Sequence, residues 1–188
     1  EQIGRPDQVS EFSEGLYLNA GAARIPHVHH AILGYARELN VPIEVMVNSN
    51  RAARWDFGGK VYTDRHVRNG VRGRFSELLA KAIDRGALDQ QLSAGDKTAL
   101  RGFLAFYGEL NQNGDYTPAG MSGFAELPGG YTQNGRPAEA FDLAVLVTRP
   151  GAGFPLVFEE FFDQQAPMFQ PVGGMDRIAH ALYEEVRP

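Results

Sequence analysis

Apolar residues at Val28, Ile32, Leu33, Tyr35, Ala36 and Leu39 recur at the spacing of one helical face, which predicts a helix over residues 27–39 that ends near Asn40. Pro26 suits the first turn of such a helix, where no amide donor is needed. Before it, "GLYLNAGAARI" alternates apolar and small residues from Leu16 and predicts an extended run into Gly21. After it, "VPIEVMVN" reads as a strand. "RWDFGGKVYT" reads as a hairpin, two β-rich runs about Gly58 and Gly59, residues that reach the positive φ of a tight turn without cost.

The helical period then takes over. Val71, Phe75, Leu78, Leu79, Ala82 and Ile83 fall on one face of a segment stopped by Gly86. Ser93 with Asp96 three positions on marks a helix start, followed by Leu100, Phe103, Leu104, Tyr107 and Leu110 at core spacing. Residues 111–137 are rich in Gly, Asn, Pro and Thr and predict a long surface loop without regular structure. Helical period returns over Ala138–Val147 and Phe154–Gln165, and a last helix over Met175–Val186 follows the turn "PVGG". No internal repeat is visible. The pattern predicts an α+β chain, mainly helical, with a few short strands in its first quarter.

Composition narrows the chemistry. A chain of 188 residues, 43% of them hydrophobic, can bury a sizeable core. The net charge of −5 and the scatter of arginines among acids argue against a nucleic-acid partner. There are no cysteines, which excludes disulfides, thiolate nucleophiles and cysteine-held metals. Apolar runs such as "LAVLV" are far short of the ~20 residues that span a bilayer, so no membrane passage is expected, and compartment stays open between cytoplasmic and secreted. No basic and apolar leader precedes the first motifs, and the chain opens at "EQIGRPDQVS" without a methionine, as a processed or excised segment does.

Four groups of residues could carry chemistry. His27, His29 and His30 crowd one stretch, but only His27 and His30 would share a helical face and no carboxylate completes a metal set. They read as polar residues of a helix start. "GAGFPL" at Gly151 has two of three fingerprint glycines and no Walker lysine, so no phosphate loop is expected. Glu159, Glu160 and Asp163 sit among Phe158, Phe161 and Phe162 and read as the wet face of an amphipathic helix. Arg24 follows Gly21, Ala22 and Ala23, small residues that let backbone approach a flat ligand, and it stands at a strand-to-helix junction where a fork of donors can grip a carboxylate. Taken alone, Arg24 reads better as a surface or structural arginine.

Two stretches, "GAARIPHVHHAILGYARELNVPIE" and "MFQPVGGMDRIAHALYEEV", resemble the flavin amine oxidase superfamily and within it the L-amino acid oxidase branch. There a G-x-M-R-[IL]-P element lies against the flavin and a P-x-GGMD-[RQK]-[IL] element opens a helix downstream. Both occur here in that order, covering about a quarter of the chain. The resemblance implies that Gly21, Ala22, Ala23 and Arg24 border the isoalloxazine of an FAD, and that Arg24 binds the α-carboxylate of a small-molecule L-amino acid. The implied reaction is hydride transfer from Cα to flavin N5, imine hydrolysis to a 2-oxo acid and ammonia, and reoxidation by oxygen to hydrogen peroxide.

The departures from the family pattern are specific. Ala23 stands where the family has methionine, no G-x-G-x-x-G occurs, and residues 138–172 hold no histidine to match one that some members place in the substrate pocket. The implied division is a flavin-edge segment over 1–63, a helical substrate domain over 64–165, and a GGMD turn returning to the FAD domain over 166–188. Complementary FAD-binding segments of the same protein are then required partners, and the isolated chain is expected to bind FAD poorly and oxidise nothing. Whether copies associate into a homo-oligomer is left open. Competing readings are an amine or polyamine oxidase portion, for which Arg24 has no task, and a non-catalytic helical domain that meets a protein partner through Phe158, Phe161 and Phe162.

Overall fold

The structure, a computed structural model, describes residues 11–164 and 167–187. It is α+β, as the pattern predicts, and divides into two compact units: one holds the chain up to Ser49 together with Val157 onward, the other runs from Asn50 to Leu156.

The first unit is built on a three-stranded antiparallel sheet of β1 (Ile25–Pro26), β2 (Ile43–Met46) and, between them, a later strand, Met168–Pro171. Ile25 pairs with Phe169 and Val45 with Phe169 from the other side. Helix α1 (His30–Glu38) and the last helix of the chain (Asp176–Val186) cover it, burying Ile25, Ala36, Val41 and Ile178 against Leu33 and Phe169. The turn after α1 is a Schellman motif: Val41 N–H reaches Ala36 O (2.8 Å), Asn40 N–H reaches Arg37 O (3.3 Å), and Asn40 takes φ 54°. The predicted stop at Asn40 is therefore met.

Other expectations for this unit are corrected. The helix starts at His30 rather than residue 27, because Ile25 and Pro26 are buried in the sheet and the pairing continues through His27 N–H to Pro167 O (3.2 Å). A proline is tolerated there because β1 is an edge strand. The run from Leu16 to Gly21 forms no strand, and Leu16 and Leu18 are exposed. The predicted helix Phe154–Gln165 is broken into a four-residue helix, Phe154–Val157, and two 3₁₀ turns, Phe158–Glu160 and Phe162–Gln164, with Phe161 extended between them (ψ 136°). Its last residue, Gln165, lies outside the described residues.

The second unit opens with the predicted hairpin, β3 (Arg54–Asp56) and β4 (Val61–Thr63), turning through Gly58 and Gly59 at φ 72° and 92°. Helix α2 (Asp64–Asp84) follows at once, capped by Thr63 Oγ1, which accepts from His66 N–H (3.2 Å). Helix α3 (Ala94–Tyr107) starts at the predicted capping box of Ser93 and Asp96. The predicted loop 111–137 is not irregular throughout: it carries a hairpin of β5 (Phe124–Glu126) and β6 (Arg136–Pro137), and it buries Tyr116 against α2 with Ser122 beside its hydroxyl. The predicted helix Ala138–Val147 shrinks to α4 (Leu143–Val147), capped by Asp142, because Phe141 enters the core on extended chain and is 1% exposed. The remaining elements in chain order are α5 (Phe154–Val157), β7 (Met168–Pro171) and α6 (Asp176–Val186).

The face of α2 that packs is not the one its large residues mark. Phe75 and Leu78 are more than half exposed, while Gly70, Gly73 and Ser76 are buried. Gly70 lies under Phe141, Gly73 under Tyr116, and Ser76 against Gly108, so that a Cβ at any of the three glycines would enter its neighbour. Val67, Val71, Ala80 and Ile83 are buried with them. Three residues converge on Asp64 at the start of α2, with Arg51 Nη1 at 3.1 Å, Arg68 Nε at 2.9 Å and Trp55 Nε1 at 3.0 Å. That paired arrangement allows a carboxylate to be buried at this depth.

Midway along α2, burial works to raise the Glu77 pKa, but bonds from Lys81, Arg74 (2.9 Å) and Tyr116 N–H (3.3 Å) outweigh it and hold the carboxyl below the usual range. A carboxyl depressed in the folded state stabilises above its unfolded pKa, ~4.3, and that contribution is lost as pH falls through the lower folded value. Urea titrations between pH 5 and 2 should show the wild-type stability falling across that window and the fall reduced in Glu77→Gln.

Candidate functional site

The two stretches that resemble one family meet inside the first unit. Asn19 Oδ1 accepts a bond from Met175 N–H (2.9 Å), tying the segment before Gly21 to the turn before α6. Between them is an open cleft of about 420 Å³, lined by Tyr17 to Ala22 on one side and Gly173 to Asp176 on the other. Gly174 takes φ 113°, and a Cβ there would stand 2.9 Å from Asp176 Oδ1 and 3.3 Å from Tyr17 Cδ2. A side chain at that position would fill the cleft and strain the turn. At Gly21 the corresponding space is open, with nothing within 4 Å. Gly21 and Ala22 thus line the cleft; Ala23 and Arg24 do not.

Arg24 is half-buried and occupied differently. Its Nη1 donates to Asn48 Oδ1 (3.2 Å) and to Gln164 Oε1 (3.5 Å), and its guanidinium lies over the Phe158 ring, 4.6 Å from the centroid. Asn48 is itself fixed by donating from Nδ2 to Gln164 O (2.8 Å). The sheet positions all three groups, since Arg24 leads into β1, Asn48 lies just beyond β2 and Gln164 precedes β7. Among the described residues no carboxylate pairs with Arg24. An aromatic face and amide oxygens orient a guanidinium without neutralising it.

The sequence model of the flavin-containing amine oxidoreductase family matches residues 8–188, nearly the whole chain and both motifs. The chain belongs to that family. As a flavin-containing amine oxidoreductase it requires a flavin, and the cleft fits one edge of such a group. Glycine and alanine make up half of its lining, at Ala20, Gly21, Ala22, Gly173 and Gly174, and the start of α6, an 11-residue helix, borders it. When bound, a flavin would be held by Gly21, Ala22, Gly173 and Gly174 through close backbone approach.

The other candidate residues are placed apart from this cleft. His27, His29 and His30 are all exposed, His27 lies outside α1, and His29 is its N-cap without a side-chain bond. No group of three potential metal ligands gathers among the described residues. Glu159, Glu160 and Asp163 lie on the 3₁₀ turns rather than on one helix face, and Phe161 and Phe162 are exposed. Gly151 stands in a turn with φ 77°. No helix among the described residues is long and apolar enough to cross a membrane.

Sequence reasoning missed Asn19, Asn48, Gln164 and Phe158 as supports of the site. Only Asn48, a polar residue ending a β-rich run, carried any local signal.

Proposed function

We propose that this chain is the substrate-domain portion of an FAD-dependent L-amino acid oxidase, in which Arg24 binds the substrate α-carboxylate and Gly21 and Ala22 border the flavin. The observation that carries the reading is the state of Arg24, a half-buried guanidinium whose described partners are two amides and an aromatic ring, none of which cancels its charge. A carboxylate brought by the substrate is its natural complement.

The flavin, when bound, supplies the acceptor for the two electrons of the Cα–H bond. The protein's part is placement. Two parallel bonds from Arg24 would fix the carboxylate and thereby the direction of Cα–H, while Asn48 and Gln164 keep the guanidinium from swinging. Phe158 shields one face of the guanidinium from water, which strengthens its hold on an anion. Loss of the Cα hydride and of an amine proton would leave the substrate as an imine, which water converts to a 2-oxo acid and ammonia, and the two electrons and two protons would end in hydrogen peroxide made from oxygen. With no G-x-G-x-x-G among the 188 residues, FAD-binding segments of the same protein are proposed partners, and the chain alone is proposed to bind FAD weakly and to turn over nothing.

A peroxide assay on the whole flavin-loaded protein, its FAD-binding segments included, tests this. L-leucine should be oxidised with kcat/KM at least about a hundredfold above that for 3-methylbutylamine, the same skeleton without the carboxylate, and above that for D-leucine. Equal or better turnover of the amine would replace this reading with an amine or polyamine oxidase.

A further inference from the structure

We propose that the second unit holds a separate binding site for a small monocarboxylate with an apolar body. It is the cleft of about 620 Å³ between the start of α2 and the hairpin β5–β6, and its size is that of ordinary small-molecule sites. It shares no residue with the Arg24 site.

The walls set the class of ligand. Val61, Phe124 and Leu127 give the cleft an apolar side, and Val61 and Leu127 are 53% and 76% exposed, apolar surface that a ligand would cover. The first turn of α2 adds Arg65 and His66 to the same lining. Of the two arginines in the lining, Arg51 is engaged by Asp64 at 3.1 Å. The Arg65 guanidinium has neither an ion pair nor a side-chain hydrogen bond among the described residues. Its stem packs on Gly123, whose φ of 96° and missing Cβ let the Arg65 Cδ approach within 3.3 Å of where a Cβ would be.

His66 adds a fixed polar wall, since its Nε2 donates to Glu139 O at 2.7 Å and its ring stands edge-on to Tyr62. The lone acid of the lining, Glu139, makes no ion pair with Arg65; the Tyr62 hydroxyl, and to a lesser degree Glu139, hold the Lys60 ammonium above the usual lysine range. One uncancelled guanidinium at the positive end of a 21-residue helix, facing an apolar wall, matches one carboxylate on a hydrocarbon frame. A nucleotide would need further cations or a glycine-rich phosphate loop, which the lining lacks.

Calorimetry on the full chain with 4-phenylbutyrate tests the proposal, with butyrate and 4-phenylbutan-1-ol as the ligands lacking the apolar body and the charge. Both should bind about tenfold or more weakly than 4-phenylbutyrate. Arg65→Met, which keeps the stem, should lose about tenfold in 4-phenylbutyrate affinity, and Leu127→Asp a similar factor, each with an unchanged circular-dichroism melt because both residues are exposed. Arg24→Met should bind 4-phenylbutyrate as the wild type does, so this site and the oxidase reading fail independently. The alcohol binding as tightly as the acid, full affinity in Arg65→Met, or a loss in Arg24→Met would overturn it.

Discussion

In the flavin-loaded protein, Arg24→Lys lowers kcat/KM for L-amino acids by about a hundredfold, and Arg24→Met by about a thousandfold, while the flavin absorbance is unchanged. A lysine keeps the charge but offers a point in place of a fork, so one of two charge-assisted bonds is lost, at roughly 1.5–3 kcal/mol. The remaining bond no longer fixes the carboxylate in a plane, and misplacement of about 1 Å at a reacting bond costs on the order of a hundredfold. The lysine would also lose the flat stacking on Phe158 that now holds the guanidinium at 4.6 Å. Methionine removes the charge altogether. Steady-state peroxide kinetics with L-leucine read both effects, and wild-type kcat and KM in Arg24→Lys would sink the carboxylate assignment.

The second large effect is on stability. Gly73→Ala should lower the melting temperature by about 5 °C, although alanine is the better helix former. At this position the added Cβ would enter the Tyr116 ring, which is 5% exposed and pinned through its hydroxyl to Ser122 Oγ at 2.8 Å. Overpacking against a fixed ring costs ~1–3 kcal/mol or more, against a helix-propensity gain of ~1 kcal/mol. Gly102→Ala supplies the contrast. Gly102 lies in α3, exposed, with nothing within 4 Å of a Cβ, so the propensity gain stands alone and the melting temperature should rise slightly. A Gly73→Ala protein as stable as the wild type would mean that α2 and the 116–122 segment do not pack in this way.

These two glycines show where local reading stops. Ser93 with Asp96, Gly58 with Gly59, and Asn40 at its positive φ are signals carried by short-range bonds, and each element they announce is present. The face of α2 is different. Phe75, Leu78 and Leu79 are the larger apolar residues and would be read as core by any count of hydrophobicity, yet close approach of Phe141, Tyr116 and Gly108 requires the side bearing Gly70, Gly73 and Ser76. Which face is buried depends on what arrives against it, and those partners lie 32 to 71 positions further along the chain. β7 was missed for a related reason. Its four residues carry no alternation long enough to announce a strand, and it exists because β1 and β2 pair with it from either side.

The candidate site divides along the same line. The chemistry-bearing positions, Arg24 after three small residues and the double glycine before α6, were visible as residue types in order, and the family to which the chain belongs follows from them. Their supports were not visible, because Asn19 on Met175 and Asn48 with Gln164 beside Arg24 are contacts across 116 to 156 positions.

Neighbouring residues alone set the stop of α1 at Asn40, the start of α3 at Ser93, the hairpin at Gly58 and the α+β class. All of these follow from the φ preferences, caps and donor geometry of neighbouring residues. Only the tertiary structure decided that Pro26 is strand rather than helix, that α2 packs through its glycines, and that Arg24 rests on Phe158 with its charge uncancelled. Each of those outcomes is an energy of contact between segments far apart in the chain, and no local pattern encodes it.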